Sequence, residues 1–176
     1  MPDLDRRPYK DLGKRTAEEA AKRVGQSKKV AVIIHREFGA LKIPNLEIEM
    51  DALTEGLKQK GVTVEPIEKV EMLSVGLAKP PAFAAAIESL KEAEVIVSVV
   101  GFPMSPGQAP TAFKNYKSKF IVVAPYQPNL KGLLQEGIIQ VFIVPRFPAS
   151  ATTQAFPQNF DNGFQVFTPN DAAKLP

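Results

Sequence analysis

Four stretches of this chain are near-continuous apolar runs: Val30-Ala31-Val32-Ile33-Ile34, Val95-Ile96-Val97-Ser98-Val99-Val100, Phe120-Ile121-Val122-Val123-Ala124 and Ile138-Ile139-Gln140-Val141-Phe142-Ile143-Val144. Each has the length of a strand, is rich in β-branched residues, and lacks the alternation of a strand with one face in water. A strand that is apolar on both faces has to be covered on both. Helices must then lie above and below the sheet, with the strands paired mainly in parallel through helical crossovers.

The segments between the runs supply those helices. Thr16 is expected to open the first, with Thr16 and Glu19 as N-cap and N3, Ala17, Ala20, Ala21 and Val24 as small packing residues, and Gly25 as its stop. A loop from Glu37 to Pro44 leads to a second, capped by Asn45, with Glu47 and Glu49 near its positive end. Its apolar stripe is Leu46, Met50, Leu53 and Leu57, and Gly61 ends it. Val62-Thr63-Val64-Glu65-Pro66-Ile67 reads as another strand, whose end Pro66 places at an edge or outside the ladder. Pro80-Pro81 start a helix striped by Phe83, Ile87 and Leu90. Short helices are expected around Thr111 to Tyr116 and after Asn129, the latter carrying Leu130, Leu133 and Leu134.

The expected fold is therefore three-layer α/β, with a mostly parallel five-stranded sheet in the order 2-1-3-4-5 and right-handed crossovers. Phe164-Gln165-Val166-Phe167 adds an edge strand, and Thr168-Pro169-Asn170-Asp171 has the form of a helix start. The 176 residues suit one core, since two domains would each bury little apolar surface. Residues 1–27 form an N-terminal extension and helix packing on the domain. Residues 28–176 form a single α/β domain with a Pro-rich C-terminal segment.

Several chemistries are disfavoured. The chain has no Cys, which removes disulfides, thiolate metal sites and cysteine nucleophiles. The net charge of +3 comes from Lys and Arg mixed with acids, as in Asp5-Arg6-Arg7, so it reads as a solvated surface and not a nucleic-acid footprint. No apolar run reaches the roughly 20 residues that span a bilayer. His35, the only histidine, has no acid or second histidine at ligand spacing, so no metal is expected. There is no Gly-rich phosphate loop, no hydroxyl-rich turn of the flavodoxin kind, and no acidic set of the receiver kind, so no cofactor is expected. Ser105 has Gly107 after it but Pro103 where a nucleophile elbow needs glycine, and His35 precedes it, against the usual order of an α/β-hydrolase.

In an open parallel sheet ligands bind outside the carboxyl ends of the strands. That rule selects His35, Arg36 and Phe38 after the first strand, and Phe102, Met104 and Ser105 after the third. It also selects Tyr126 after the fourth and Arg146 after the fifth. Aromatics there could stack on a flat apolar face, and the arginines could pair with an anionic group.

The pattern resembles one lobe of the type I periplasmic-binding-protein fold, the family of ABC-transporter substrate-binding proteins. Lys29 to Ile34, Glu49 to Gly61 with its Leu-rich helix, Val62-Thr63-Val64, Phe83 to Val100 and Lys119 to Val123 carry the likeness, over roughly residues 28 to 146. It implies a ligand-binding role without catalysis. Members of that family hold ligand between two lobes, so one lobe implies a second lobe, a homodimer or a different site. The expected function is a non-enzymatic binding or sensor domain that holds a small molecule or a partner segment. The alternatives are a hydrolase-like enzyme using His35 with Ser105 or Glu37, and an assembly module without ligand. Met1 to Arg7 is polar and carries no signal peptide; the absence of Cys leans toward an exported setting with a leader removed over a cytoplasmic one.

Overall fold

The computed structural model describes residues 7–36, 44–74, 77–105, 107–108, 110–125, 127, 129–145 and 160–175. All four apolar runs form strands: β1 (Lys29–His35), β5 (Val95–Ser98), β6 (Lys119–Val123) and β7 (Ile139–Pro145). They are joined by β2 (Thr63–Val70) at one edge and β8 (Phe164–Phe167) at the other. The six-stranded order is β2-β1-β5-β6-β7-β8, with β8 alone antiparallel. Along β1 the burial is complete from Val30 to Ile34. Alternate residues serve opposite layers: Ala31 and Ile33 face one cluster with Ile96, Phe120 and Phe142, while Val30, Val32 and Ile34 face another with Val97, Ile121 and Ile143.

The first layer is completed by α3 (Pro80–Ser89), α4 (Asn129–Gln135) and a closing 3-10 turn at Pro169–Lys174. The second is completed by α1 (Arg7–Ala21) and α2 (Pro44–Gln59). The sheet is thus the three-layer form expected, with the extra edge strand at 164–167. A two-stranded ribbon, β3 (Met72–Ser74) with β4 (Leu77–Ala78), and the short α5 (Phe160–Gly163) complete the elements. No helix among the described residues is long and apolar enough to cross a membrane.

Three local expectations need correction. The first helix begins at Arg7, nine residues before Thr16. Thr16 is wholly buried inside it and donates its hydroxyl to the Leu12 carbonyl at 2.8 Å, so it caps nothing. Apart from Leu12, its inward stripe, Gly13-Thr16-Ala17-Ala20, is made of small or polar residues that give little hydrophobic signal in sequence. The second helix starts at Pro44, whose fixed φ suits a first helical turn, leaving Asn45 inside the helix. Finally, Pro66 does lie in an edge strand, but β2 runs on past Ile67 to Val70, the register passing from Val30–Val64 to Val32–Ile67 and absorbing one extra residue in β2.

Small residues let α1 and α2 meet closely. A Cβ on Gly13 would fall onto the Glu49 carbonyl oxygen and come within 2.8 Å of Ala52 Cβ and 2.9 Å of the Leu53 nitrogen. Alanine ordinarily gains about 1 kcal/mol over glycine in a helix. Here the clash reverses that preference. Gly13→Ala is expected to destabilise the fold by about 1–3 kcal/mol in urea unfolding, the range for overpacked sites. A stabilised variant would mean that the helices are not so closely seated.

Candidate functional site

Chain order runs outward from β1 to β2, then returns across β1 to β5. The topological switch point therefore lies between the carboxyl ends of β1 and β5, where ligands bind in sheets of this kind. His35 ends β1, 7% exposed, opposite Val70 of β2. Arg36 follows, its side chain exposed and its backbone N–H donated to the Val70 carbonyl at 2.7 Å. Just beyond Val70, Glu71 accepts a hydrogen bond and ion pair from Lys79. The Lys79 hydrogen bond and then its charge, with a smaller part from Arg36, hold the Glu71 carboxyl below its ordinary range. This end of the rim is thus a cluster of two cationic side chains about one carboxylate, beside His35.

The exit of β5 is built differently. Ser98 is buried and donates its hydroxyl to the Gly101 carbonyl at 2.6 Å, across a turn in which Gly101 has φ 75°. Phe102, expected to stack on a ligand, points into the core instead. It is 0% exposed and meets Phe83, Phe113 and Phe120 edge-on at centroid distances of 5.0, 5.0 and 5.1 Å. Only its backbone serves the rim: its N–H donates to Gln127 Oε1 at 3.3 Å, and its carbonyl accepts from Asn129 Nδ2 at 2.9 Å. These two amides tie the β5 exit to the β6 exit. Met104 is half-buried against the same core, and Ser105 is exposed with its N–H donated to Gln108 Oε1 at 3.1 Å.

Phe38, Tyr126 and Arg146, with Glu37, lie outside the described residues. The structure adds Glu71, Lys79, Gln127 and Asn129 to the strand ends. Glu71 was not legible because Pro66 made β2 look finished by Ile67. Gln127 follows the fourth apolar run and so falls at a strand end by the same rule, but its bond to Phe102 depends on two loops meeting.

One turn into α2 lies a second polar feature. Glu49 is buried, its Oε1 has no hydrogen-bond partner, and burial pushes its carboxyl up to about 8. Tyr9 on α1 is close enough that its hydroxyl is raised, first by burial and then by the Glu49 charge. Glu19, also buried, behaves in the opposite way. Burial raises it, but hydrogen bonds from Lys22 at 2.9 Å and Arg23 at 2.7 Å prevail and hold it low. A groove of about 700 Å³ follows the outer seam of α1 and α2, but Lys10, Lys14 and Lys60 there are mixed with Glu18, Asp51 and Glu55, so it offers no convergent charge.

No protein-family model and no curated protein matches this chain. Solved structures do. AraP, an arabinose binding protein from Geobacillus stearothermophilus, aligns over 97% of this chain and 64% of its own, at 20% identity and TM-score 0.64. An ABC transporter solute binding protein from Burkholderia graminis, in complex with D-arabinose, aligns over 96% and 62%, at 18% identity and TM-score 0.63. A periplasmic ribose ABC transporter protein from Conexibacter woesei aligns over 78% and 45%, at 12% identity and TM-score 0.59. The chain thus spans less than two thirds of the length of each. Its fold is that of a periplasmic-binding-protein lobe.

Phe102→Ala is expected to cost about 3–5 kcal/mol in unfolding experiments, as for a large core aromatic, and not to act as a surface change. For Glu49, the folded chain keeps a proton that the unfolded chain has already lost between the ordinary carboxylate range and about 8. Its contribution to stability is full below the unfolded pKa, falls as pH rises, and levels off above about 8. Each pH unit across that window removes on the order of 1.4 kcal/mol, a few kcal/mol in all. Glu49→Gln should flatten this decline when unfolding is followed from about pH 5 to about pH 9, and an unchanged slope would place the proton elsewhere.

Proposed function

We propose that this chain is a non-enzymatic binding lobe for a small, neutral, polyhydroxylated ligand of the aldopentose class, working in an exported setting. The observation that carries this reading is the polar rim at the topological switch point, on a fold shared with proteins named for arabinose and ribose. The contact residues are His35, Arg36, Phe38, Met104, Ser105, Tyr126 and Arg146. The Phe102 side chain is left out, because the core already occupies it.

Physical chemistry supports this ligand class. A sugar hydroxyl both donates and accepts, so a rim combining guanidinium, imidazole and hydroxyl groups can satisfy several hydroxyls at once. Bonds to charged partners are the stronger ones. Aromatic rings such as Phe38 and Tyr126 would cover the apolar C–H face of the sugar ring. A lobe contacts its ligand from one side, and a second lobe or a second copy of the chain would close the other.

Isothermal titration calorimetry with D-arabinose and D-ribose tests the proposal. Wild-type chain is expected to bind at least one of them. Arg36→Ala combined with Arg146→Ala should abolish binding while leaving unfolding stability nearly intact. Undiminished binding in the double variant would move the site elsewhere. Absence of binding to both sugars would sink the aldopentose assignment.

A further inference from the structure

We infer that Asn45 and Glu49 of α2 form an inner polar contact for the ligand, accepting and donating to a pair of its neighbouring hydroxyls when Tyr9 swings aside. The inference deepens the reading above and rests on it. Its starting point is geometric. Asn45 Oδ1 and Glu49 Oε1 are both cut off from solvent and have no hydrogen-bond partner. They stand four residues apart on one helix, hence on one face, with Cβ atoms roughly 5–6 Å apart. Buried polar atoms are nearly always satisfied in folded proteins, so two orphans one turn apart on one face call for a shared explanation.

Their location supplies one. Helix α2 begins eight residues after Arg36, so its first turns lie on the carboxyl side of the sheet, where His35 and Arg36 end β1. The same fold pairs the other buried carboxylate, Glu19, with Lys22 and Arg23 within 3 Å. Against Glu49 the described residues set no cation. A side chain kept for stability is satisfied from within; Glu49 is left to be satisfied from without.

The chemistry selects a neutral diol over a cation. Burial keeps the Glu49 carboxyl protonated at neutral pH, so it has one O–H to donate and a free oxygen to accept. The Asn45 amide oxygen accepts. Together they match two adjacent hydroxyls, whereas a cation would first have to draw the proton off a group held in apolar surroundings. Tyr9, whose hydroxyl feels the Glu49 charge and whose ring meets Phe164 edge-on at 6.4 Å, lies on the α1 side of Glu49, and its swing is the movement this inference requires.

The test compares wild type with Glu49→Gln, Glu49→Leu, Asn45→Ala and the exposed control Glu55→Gln, titrating each with D-arabinose and D-ribose. Glu49→Leu and Asn45→Ala should each weaken binding roughly ten- to hundredfold, the scale of a lost buried hydrogen bond. Glu49→Gln should weaken it less, and Glu55→Gln not at all. Thermal unfolding separates binding from structure, because removing an orphan acid should leave Glu49→Leu at least as stable as wild type at about pH 9. Should Glu49→Leu fail to fold, the isosteric Glu49→Gln and Asn45→Ala carry the comparison. If all these variants bind like wild type while the Arg36/Arg146 double variant does not, this inference is overturned and the rim stands. If neither sugar binds wild type, and the Glu49 carboxyl carbon shift in NMR moves with neither, both readings fall together.

Discussion

Burial of β1, β5 and β6 on both faces is the constraint on which the rest of this molecule depends. Val30 to Ile34 has no exposed side, so the helices on each face are required and not ornamental. The same requirement explains polar residues at unlikely places. Ser98 can sit in the centre of the sheet because its hydroxyl is spent on the Gly101 carbonyl, and Thr16 can sit on the buried face of α1 because its hydroxyl turns back to the Leu12 carbonyl. With both faces occupied by core, the strand ends are where a parallel sheet keeps polar groups near a ligand.

Those ends are shaped by what the core takes from them. The Phe102 side chain is spent on the core, edge-on to Phe83, Phe113 and Phe120. Gln127 and Asn129 fasten the β5 exit through backbone bonds. A rim held in this way is preorganised: less conformational freedom remains to be lost when a ligand arrives. On the other side of the switch point, Glu71 and Lys79 pair beside Arg36 and fix the sign of the local field.

The two buried carboxyls of the helical layer show how context decides what an acid does. Glu19 has two cations within 3 Å and stays ionised below its usual range. Glu49 has burial alone, and its carboxyl rises to about 8. Both sit on ordinary helical positions, but Glu19 has Lys22 and Arg23 three and four residues on, where Glu49 has Ala52 and Leu53. The close approach of α1 to α2 at Gly13 packs against the Glu49 backbone, and burial without a cation then raises that carboxyl.

Much of the fold was legible because it follows from local pattern. Continuous apolar runs required two-sided burial, Pro80-Pro81 marked α3, and the Thr168–Asp171 box marked the closing turn. The candidate site was only half legible. His35 and Arg36 follow directly from where an apolar run stops, and so could be placed by sequence. Helix α1 was read short because its inward face is built from Gly13, Thr16 and alanines, whose burial is a property of their neighbour and not of their own hydrophobicity. Phe102, Glu71, Gln127 and Glu49 took their roles from elements distant in the chain: an aromatic cluster, a bulged strand, two loops meeting, a helix laid over an acid. Sequence by itself determined the layers and their order, since each apolar run carries its own need for cover. Which polar groups face a ligand, and which are sealed away, only the tertiary structure decided, because solvent exposure and pairing are made between segments.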